Sequence, residues 1–557
     1  MKKVKSIIAG TLIEIIILFI GLAGFCVSVN IRNFSFWLLI AISLFISIAV
    51  GRIAYGKVDF GRVIISKKIG SKGRTQKTTK FNFRIYPYIA PVLILVTALL
   101  FSVFGSSVFN AEKYASVMQI KNTEFSADIN ESAGTDSIAL MDTSSAEMLG
   151  DREIGALSNV VSQFDVSYNY SQIDYKGKPV KVAPLIYAGF FKWQNNKDKG
   201  VCGYVTVDPV SMTASYKECT GMKYVPSAYF FENAKRYIWL KYPTVMFDNL
   251  HFEIDEAGNP FFIATVYKKT IGLFGGKTAD GCIVLNPITG KIDKYDTADI
   301  PKWIDIVFDG DLLCEQFNWN GLLQNGYLNS LIGKKDCRQI TTYSISDDDD
   351  DAPVCDYGYV AKDGDIWIYT GITSLNGDSS NIGFLLANER TGEAHCFNIA
   401  GADEKSAMAS AEGEVQEKGY QASFPSLINV SGNPTYIMVL KDSGGLVKLY
   451  AAVNVEQYNI VTTAATQKEC ILKYKELLGI VDVDTNTEKE TTVTAIKISD
   501  IKYIDIDGNT YIYLISEDKK LYKAKASSHE DMLLLSVGDT VEITHTNEKI
   551  VSINNKK

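Results

Sequence analysis

The chain has 557 residues, with 56 Lys and Arg against 64 Asp and Glu for a net charge of −8, 46% hydrophobic side chains, nine cysteines and four histidines. An acidic balance repels nucleic acid and anionic lipid, and so few histidines leave little room for imidazole-based catalysis or metal binding. The charge is also unevenly placed: residues 1–108 hold 14 basic and two acidic side chains, net about +12, which leaves about −20 on the rest.

Three apolar runs come first, Ile7 to Val29, Phe34 to Val50 and Tyr88 to Phe109. Each is near the roughly 20 residues that a helix needs to cross the hydrocarbon core. They predict a membrane anchor over residues 1–110 with helices at about 7–29, 34–50 and 88–109, joined by a basic loop, 51–87. Lys2, Lys3 and Lys5, and ten Lys and Arg from Arg52 to Arg84 against Asp59 alone, place the N-terminus and that loop in the cytoplasm. The expected location is therefore the plasma membrane, crossed several times, with everything after Phe109 extracellular and the lipid bilayer as first partner. A cleaved signal peptide is the alternative for the first run, although Phe25 spoils a lipoprotein-type site before Cys26. Glu14 lies inside that run; an intramembrane acid is a functional candidate, and the plainer reading is a carboxyl that is protonated or reaches headgroup water.

Eight cysteines lie outside the anchor, an even number in a compartment that permits disulfides. Cys202 and Cys219 bracket two strand-like runs around Asp208-Pro209, and Cys337 and Cys355 bracket the acidic run Asp347 to Asp351, so these are the two expected pairs. Buried free thiols are the alternative.

From residue 111 to 479 one unit recurs four times. Its clearest copy opens at Gly258-Asn259-Pro260, runs through Phe261 to Tyr267, a Gly/Lys loop from Lys268 to Lys277, and Gly281 to Leu285, and closes in Asn286-Pro287-Ile288-Thr289-Gly290. The others pair Val182–Phe191 with Gly203–Val207, Ile366–Thr370 with Gly383–Ala387, and Thr435–Leu440 with Leu449–Val453. Asn or Asp starts a tight turn by bonding its own backbone, and Gly supplies positive φ at the end. Helical stretches follow at Ser227–Lys241, Ile300–Leu313, Ala402–Lys418 and Ala464–Leu478, so the expected fold is α+β, four β-β-β-α units in two pairs, 111–300 and 301–479. Residues 480–557 read as short strands with a Gly508-Asn509 turn, a small all-β barrel of the oligonucleotide/oligosaccharide-binding type.

The strand, Lys/Gly loop and strand ending Val-Asp-Pro-Val or Val-Leu-Asn-Pro-Ile-Thr-Gly-Lys resembles the PepSY domain. The stretches Tyr187–Trp193, Lys269–Gly276, Ser379–Phe384 and Ser406–Gln416 resemble an uncharacterised family of Gram-positive membrane proteins, sometimes labelled colicin V production protein. The first resemblance implies binding or regulation of an extracytoplasmic peptidase; the second implies a cell-envelope location and no activity.

Searching for chemistry returns little. The histidines, His251, His395, His529 and His545, have no metal-ligand spacing, and His395 and Cys396, as strand neighbours, face opposite ways. Lys268–Lys277 has the composition of a phosphate loop, but between strands it reads as a hairpin tip. The Asp347–Asp351 run reads as a solvated loop. No catalytic residue, cofactor or metal is expected. The resulting expectation is a noncatalytic envelope protein whose outer repeats bind another envelope protein, and not nucleic acid. The alternative is an enzyme or ligand sensor with a site dispersed over the repeats, which a pocket lined by carboxylates of raised pKa would favour.

Overall fold

The computed structural model describes residues 2–54, 65–69, 75–79, 88–129, 131, 140–343, 354–355, 357–375, 380–480, 492–506, 509–526, 529–546 and 549–555. Most of the basic loop, the Asp347–Asp351 run and Gly508 lie outside them. The fold is mixed α and β, and contacts divide it into two compact units, Met1–Ile471 and Leu472–Lys557.

Three apolar helices open the first unit: α1 (Lys2–Phe25), α2 (Phe34–Ala54) and α3 (Ile89–Phe104). Within α2, Phe34–Gly51 is by itself long and apolar enough to cross a membrane. The apolar part of α1 is shorter, Gly10–Phe25, and the third predicted run is a bent pair. Helix α3 stops at Phe104, and α4 (Ser107–Ala115) departs at 48°. Asn110 causes this, since its Nδ2 donates to the carbonyls of Phe104 (2.7 Å) and Ser106 (3.1 Å) and satisfies acceptors that a continuing helix would use. Helices α1 and α2 pack through small residues: Ser47 Oγ donates to Gly10 O at 2.7 Å, and a Cβ on Gly21 would lie 2.5 Å from Leu39.

The four repeats are four sheets whose own strands pair antiparallel. Each predicted hairpin forms the central strand pair, Pro179–Tyr187 with Val201–Asp208, Pro260–Ile271 with Gly275–Leu285, Asp365–Ser374 with Gly383–Asn388, and Asn433–Lys441 with Val447–Asn454. The unit has four strands where three were expected. A first strand precedes each hairpin (Ser171–Asp174, Phe247–Ile254, Gly358–Lys362, Ser426–Val430) and a last follows it (Thr213–Met222, Ile292–Tyr295, Ala394–Phe397, Val461–Ala464). The closing turns work as the sequence suggests. Asn286 Oδ1 accepts from the N–H groups of Ile288 and Thr289, Asn388 Oδ1 from Arg390 and Thr391, and Asp208 Oδ1 from Val210 and Ser211. Gly290 and Gly392 both end their turns at φ +73°; Met212 holds the same place in the first copy at +56°. Helices stand after the sheets at Ala234–Lys241, Gly310–Leu323, Glu404–Gly413 and Gln467–Leu477. The second begins ten residues later than predicted, because Asp309 caps it by accepting from Leu312 N–H.

The sheets touch in series and the fourth is tied back to the first, so that their contacts form a closed circuit, a ring. Tyr204 of the first sheet donates to Gly258 O of the second at 2.8 Å. Val307 and Phe308, leaving the second, donate to Glu389 O of the third. Phe384 of the third meets Tyr436 of the fourth at 5.9 Å between rings. The fourth returns to the first through Lys441, which binds Asp142 (2.6 Å), the N-cap of helix Thr143–Gly155 lying on the first sheet. From the end of α4 the chain meets the helix after the second sheet and then the third and fourth sheets. Asn320 Nδ2, on the helix after the second sheet, donates to Ala115 O. Ile120–Asn122 adds in parallel to Ala394–Phe397, and Asn429 Nδ2 of the fourth sheet donates to Ile129 O.

The second unit contains a closed five-stranded barrel, Thr492–Ile506, Asn509–Ser516, Leu521–Lys525, Lys549–Asn555 and Thr540–Thr546 in spatial order, around Ile512, Leu514, Val541 and Ile543. Two predicted strands merge into the first, which pairs with neighbours on both sides.

Candidate functional site at the helix–ring seam

One edge of the ring carries the helix ends. Asn233 caps helix Ala234–Lys241 by accepting from Arg236 N–H, and the first turns of that helix aim two donors at α1. Arg236 Nε donates to Ala23 O at 2.9 Å and Trp239 Nε1 to Val27 O at 2.9 Å. Ala23 belongs to the last turn of α1, whose carbonyls lack helical partners and carry the negative end of the helix dipole, so a guanidinium is the complementary donor there. The α1–α2 connection continues the docking, with Val29 N–H on Pro243 O (2.7 Å), Asn30 Nδ2 on Thr244 O (3.1 Å) and Arg32 Nη1 on Lys269 O (2.6 Å).

The Gly/Lys hairpin tip of the second sheet meets the other two helices. Phe274 packs edge-on against Phe34 (5.5 Å) and Trp37 (6.4 Å) at the start of α2. Gly272 and Gly275 approach Gly105 at the end of α3 so closely that a Cβ on Gly275 would lie 2.4 Å from Gly105 O. The glycines that gave this loop a phosphate-loop composition thus serve backbone contact with a helix end.

A cavity of about 450 Å³ opens at this seam. Phe25, Ile186, Leu250, Phe252 and Phe262 supply apolar walls, and Lys235 and Arg236 supply cations. Such a lining suits a small amphiphile with an anionic end.

A second polar cluster lies inside the ring. Glu253, fully buried, accepts from Asp305 N–H (2.9 Å) and Ile306 N–H (3.0 Å), and burial outweighs these bonds and pushes its carboxyl up to about 8. Burial likewise raises Asp305 and Glu389, whose Oδ1 and Oε2 have no hydrogen-bond partner. Lys181 is 2% exposed, within 5.1 Å of the Tyr359 ring and 3.4 Å from Thr143 Oγ1. Burial lowers it to about 8 against the pull of Asp142 and Glu389. For Asp142 burial opposes ionisation, but Lys441 and the Ser145 N–H overcome it and hold the carboxyl below its usual range. None of these groups lines the cavity, and among the described residues no three His, Cys, Asp or Glu side chains are disposed to hold a metal. The raised-pKa carboxylates and this cavity lie in different places.

The residues singled out in the sequence fall as follows. Glu14 faces α2, where Ser43 Oγ donates to its Oε1 at 2.9 Å; its Oε2 is buried without a partner. Cys202 and Cys219 stand on adjacent strands, one step beyond the Gly203–Glu218 pair and beside a bulge, and both are free thiols. Tyr216 Oη donates to Cys202 Sγ (3.4 Å), and burial, then Cys202 and Glu218, raise Cys219 to about 11. Cys337 is buried and free, its Sγ donating to Leu322 O, while Cys355 stands on the short strand Val354–Cys355 opposite Thr342. His395 and Cys396 have separate surroundings. The imidazole is held between Asp128 (2.7 Å) and Glu393 (3.0 Å), and Cys396 Sγ accepts from Arg338.

Sequence reasoning missed Arg236, Trp239, Lys181 and Glu253. Lys181 is the single charge in the apolar strand PVKVAPLIY, and in FDNLHFEI the alternation of Leu250, Phe252 and Ile254 would turn Glu253 outward.

No family model matches the chain, and no curated protein does. Among solved structures, it is similar to a levansucrase mutant of B. megaterium at 10% identity and a TM-score of 0.18, covering 81% of this chain and 98% of that one. It is similar to an ancestral GH74 enzyme at 8% identity and 0.16, covering 65% of this chain and 42% of that one. Likeness at this level carries no argument about fold or activity.

Proposed function

We propose that the chain is a noncatalytic, multi-pass membrane-anchored cell-envelope protein, with its N-terminus cytoplasmic and its ring of sheets extracytoplasmic, and that the ring binds and regulates another envelope protein. The carrying observation is the seam. Three successive antiparallel crossings would bring the end of α1, the start of α2 and the end of α3 to one side of a bilayer, and those three ends all meet one edge of the ring. The concentration of Lys and Arg around the opposite ends supports the orientation. The PepSY resemblance points to an extracytoplasmic peptidase as partner. The barrel's order, in which the first strand bonds the second and fourth and the third lies parallel to the fifth, supports the OB-like reading. A ligand sensor is the second reading, favoured by the amphipathic cavity.

Protease added to wall-stripped intact cells should remove residues beyond Phe109, and crosslinkers placed on the ring in living cells should capture one recurring envelope protein. Protection of the C-terminal region in intact cells overturns the placement. Turnover of peptide, peptidoglycan or phosphate substrates by the purified chain, lost on a single carboxylate or serine substitution, overturns the noncatalytic reading.

A further inference from the structure

Two short segments of the first sheet's periphery present bare aromatic rings beside α1. Helix Phe190–Asn196 carries Phe190 and Phe191, and the turn before helix Ala234–Lys241 carries Tyr229, Phe230 and Phe231. Phe191 is 78% exposed, Phe230 60% and Phe231 63%. Phe190 meets Phe191 at 5.6 Å and Tyr229 at 5.0 Å, and buried Trp193 meets Tyr229 at 5.4 Å and Phe230 at 5.7 Å. The rings therefore form one continuous patch around Trp193, whose Nε1 is fixed by Glu232 at 3.0 Å. A joined group of exposed aromatics in an acidic, otherwise polar surface marks a contact face.

The position of the patch identifies what it contacts. Arg236 donates through Nε to Ala23 O and through Nη1 to Phe230 O (2.7 Å), so one guanidinium spans the last turn of α1 and the patch backbone. The patch is thus fixed at the level where α1 ends. If α1 ends at the outer membrane surface, as the proposed function holds, that level is the headgroup zone, where aromatic side chains concentrate. Cations lie around it: Lys192 within the helix, Lys197 over the Trp193 ring at 5.6 Å, and Lys223, which is 3.3 Å from Glu232 and offsets its charge. This local basic rim departs from the acidity of the rest of the outer chain and matches anionic headgroups.

We propose that Phe190, Phe191, Tyr229, Phe230 and Phe231 form a collar that inserts into the outer leaflet of an anionic-phospholipid bilayer and holds the first sheet against the membrane. The inference rests on the membrane-anchored reading, and its test separates the two. The full chain is reconstituted in bilayer discs of phosphatidylcholine with phosphatidylglycerol. An environment-sensitive fluorescent amino acid replaces Phe191, Phe230, Phe45 on α2, or Tyr458, an exposed ring on the fourth sheet. Lipids carrying a nitroxide near the headgroup should quench the probe at 191 and 230 at least about threefold more than at 458, as expected of side chains ~5–10 Å into the headgroup boundary. Chain-end nitroxides should quench position 45 most, and omitting phosphatidylglycerol should weaken quenching at 191 and 230.

Quenching at 191 and 230 equal to that at 458, with position 45 strongly quenched, overturns the collar and leaves the anchor intact. No quenching at position 45 overturns the anchor and the collar with it. Probes at 191 and 230 that ignore nitroxide lipids but shift in emission with protein density assign the patch to a second copy of the chain, and overturn the lipid proposal.

Discussion

Replacing Glu253 by Gln probes the interior of the ring most directly. Folding raises this carboxyl from about 4.5 to about 8, so between those values the folded chain keeps a proton that the unfolded chain has released. Its contribution to stability is complete below pH 4.5 and lost as pH rises through 8. At ~1.4 kcal/mol per pKa unit this amounts to at most about 5 kcal/mol. Glutamine never ionises, but it offers one carbonyl to the two N–H groups of Asp305 and Ile306, so at pH 5 the variant should be less stable by ~1–3 kcal/mol. That deficit should shrink by ~1.4 kcal/mol per pH unit and reverse between about pH 6 and about pH 7, leaving the variant the more stable at pH 8. Hydrogen exchange of the Asp305 and Ile306 amides, corrected for intrinsic rates, reads the opening free energy at the bonds concerned. A wild-type minus variant difference that stays constant from pH 5 to 8 would mean that Glu253 is ionised throughout, and would refute the reasoning.

Arg236→Ala should unfasten the last turn of α1, with a local cost of ~1–3 kcal/mol and about tenfold faster exchange over residues 20–27, because two carbonyls lose their donor; unchanged protection there argues against the seam. A thiol–disulfide exchange oxidant should join Cys202 to Cys219, giving a nonreduced peptide pair, whereas separate alkylation of both after oxidation contradicts their cross-strand adjacency. Asp365→Asn should destabilise the third sheet by about 3 kcal/mol, since Asp365 accepts two bonds from Arg390 and one from Asn388; an unshifted urea midpoint would show that the pair contributes nothing net.

Much of the sheet architecture was legible because its signals are local. Four Asn or Asp turn starters each close a pair of Val/Ile-rich strands, and all four pairs exist. In three of the sheets the first strand was not legible: SQID, GYVAK and SLINV are too short to show a period, and the turns after SQID and SLINV hide in Lys176-Gly177 and Ser431-Gly432, whose first residues must adopt positive φ. Three strands before each helix were therefore read where the sheets have four. The seam was invisible for another reason. Arg236 and Ala23 are 213 positions apart, and nothing near either residue signals the other.

The path of residues 111–160 has a consequence for biogenesis. This stretch emerges from the ribosome just after the anchor, yet its bonding partners include Cys396, Asn429 and Lys441, which are made hundreds of residues later. Helix Thr143–Gly155 can lie on the first sheet early, but the bonds to the third and fourth sheets must wait until those sheets are made. The last of these bonds form late, and a nascent chain halted after the third sheet would present this stretch to chaperones and proteases without its bonds to Asn429 and Lys441.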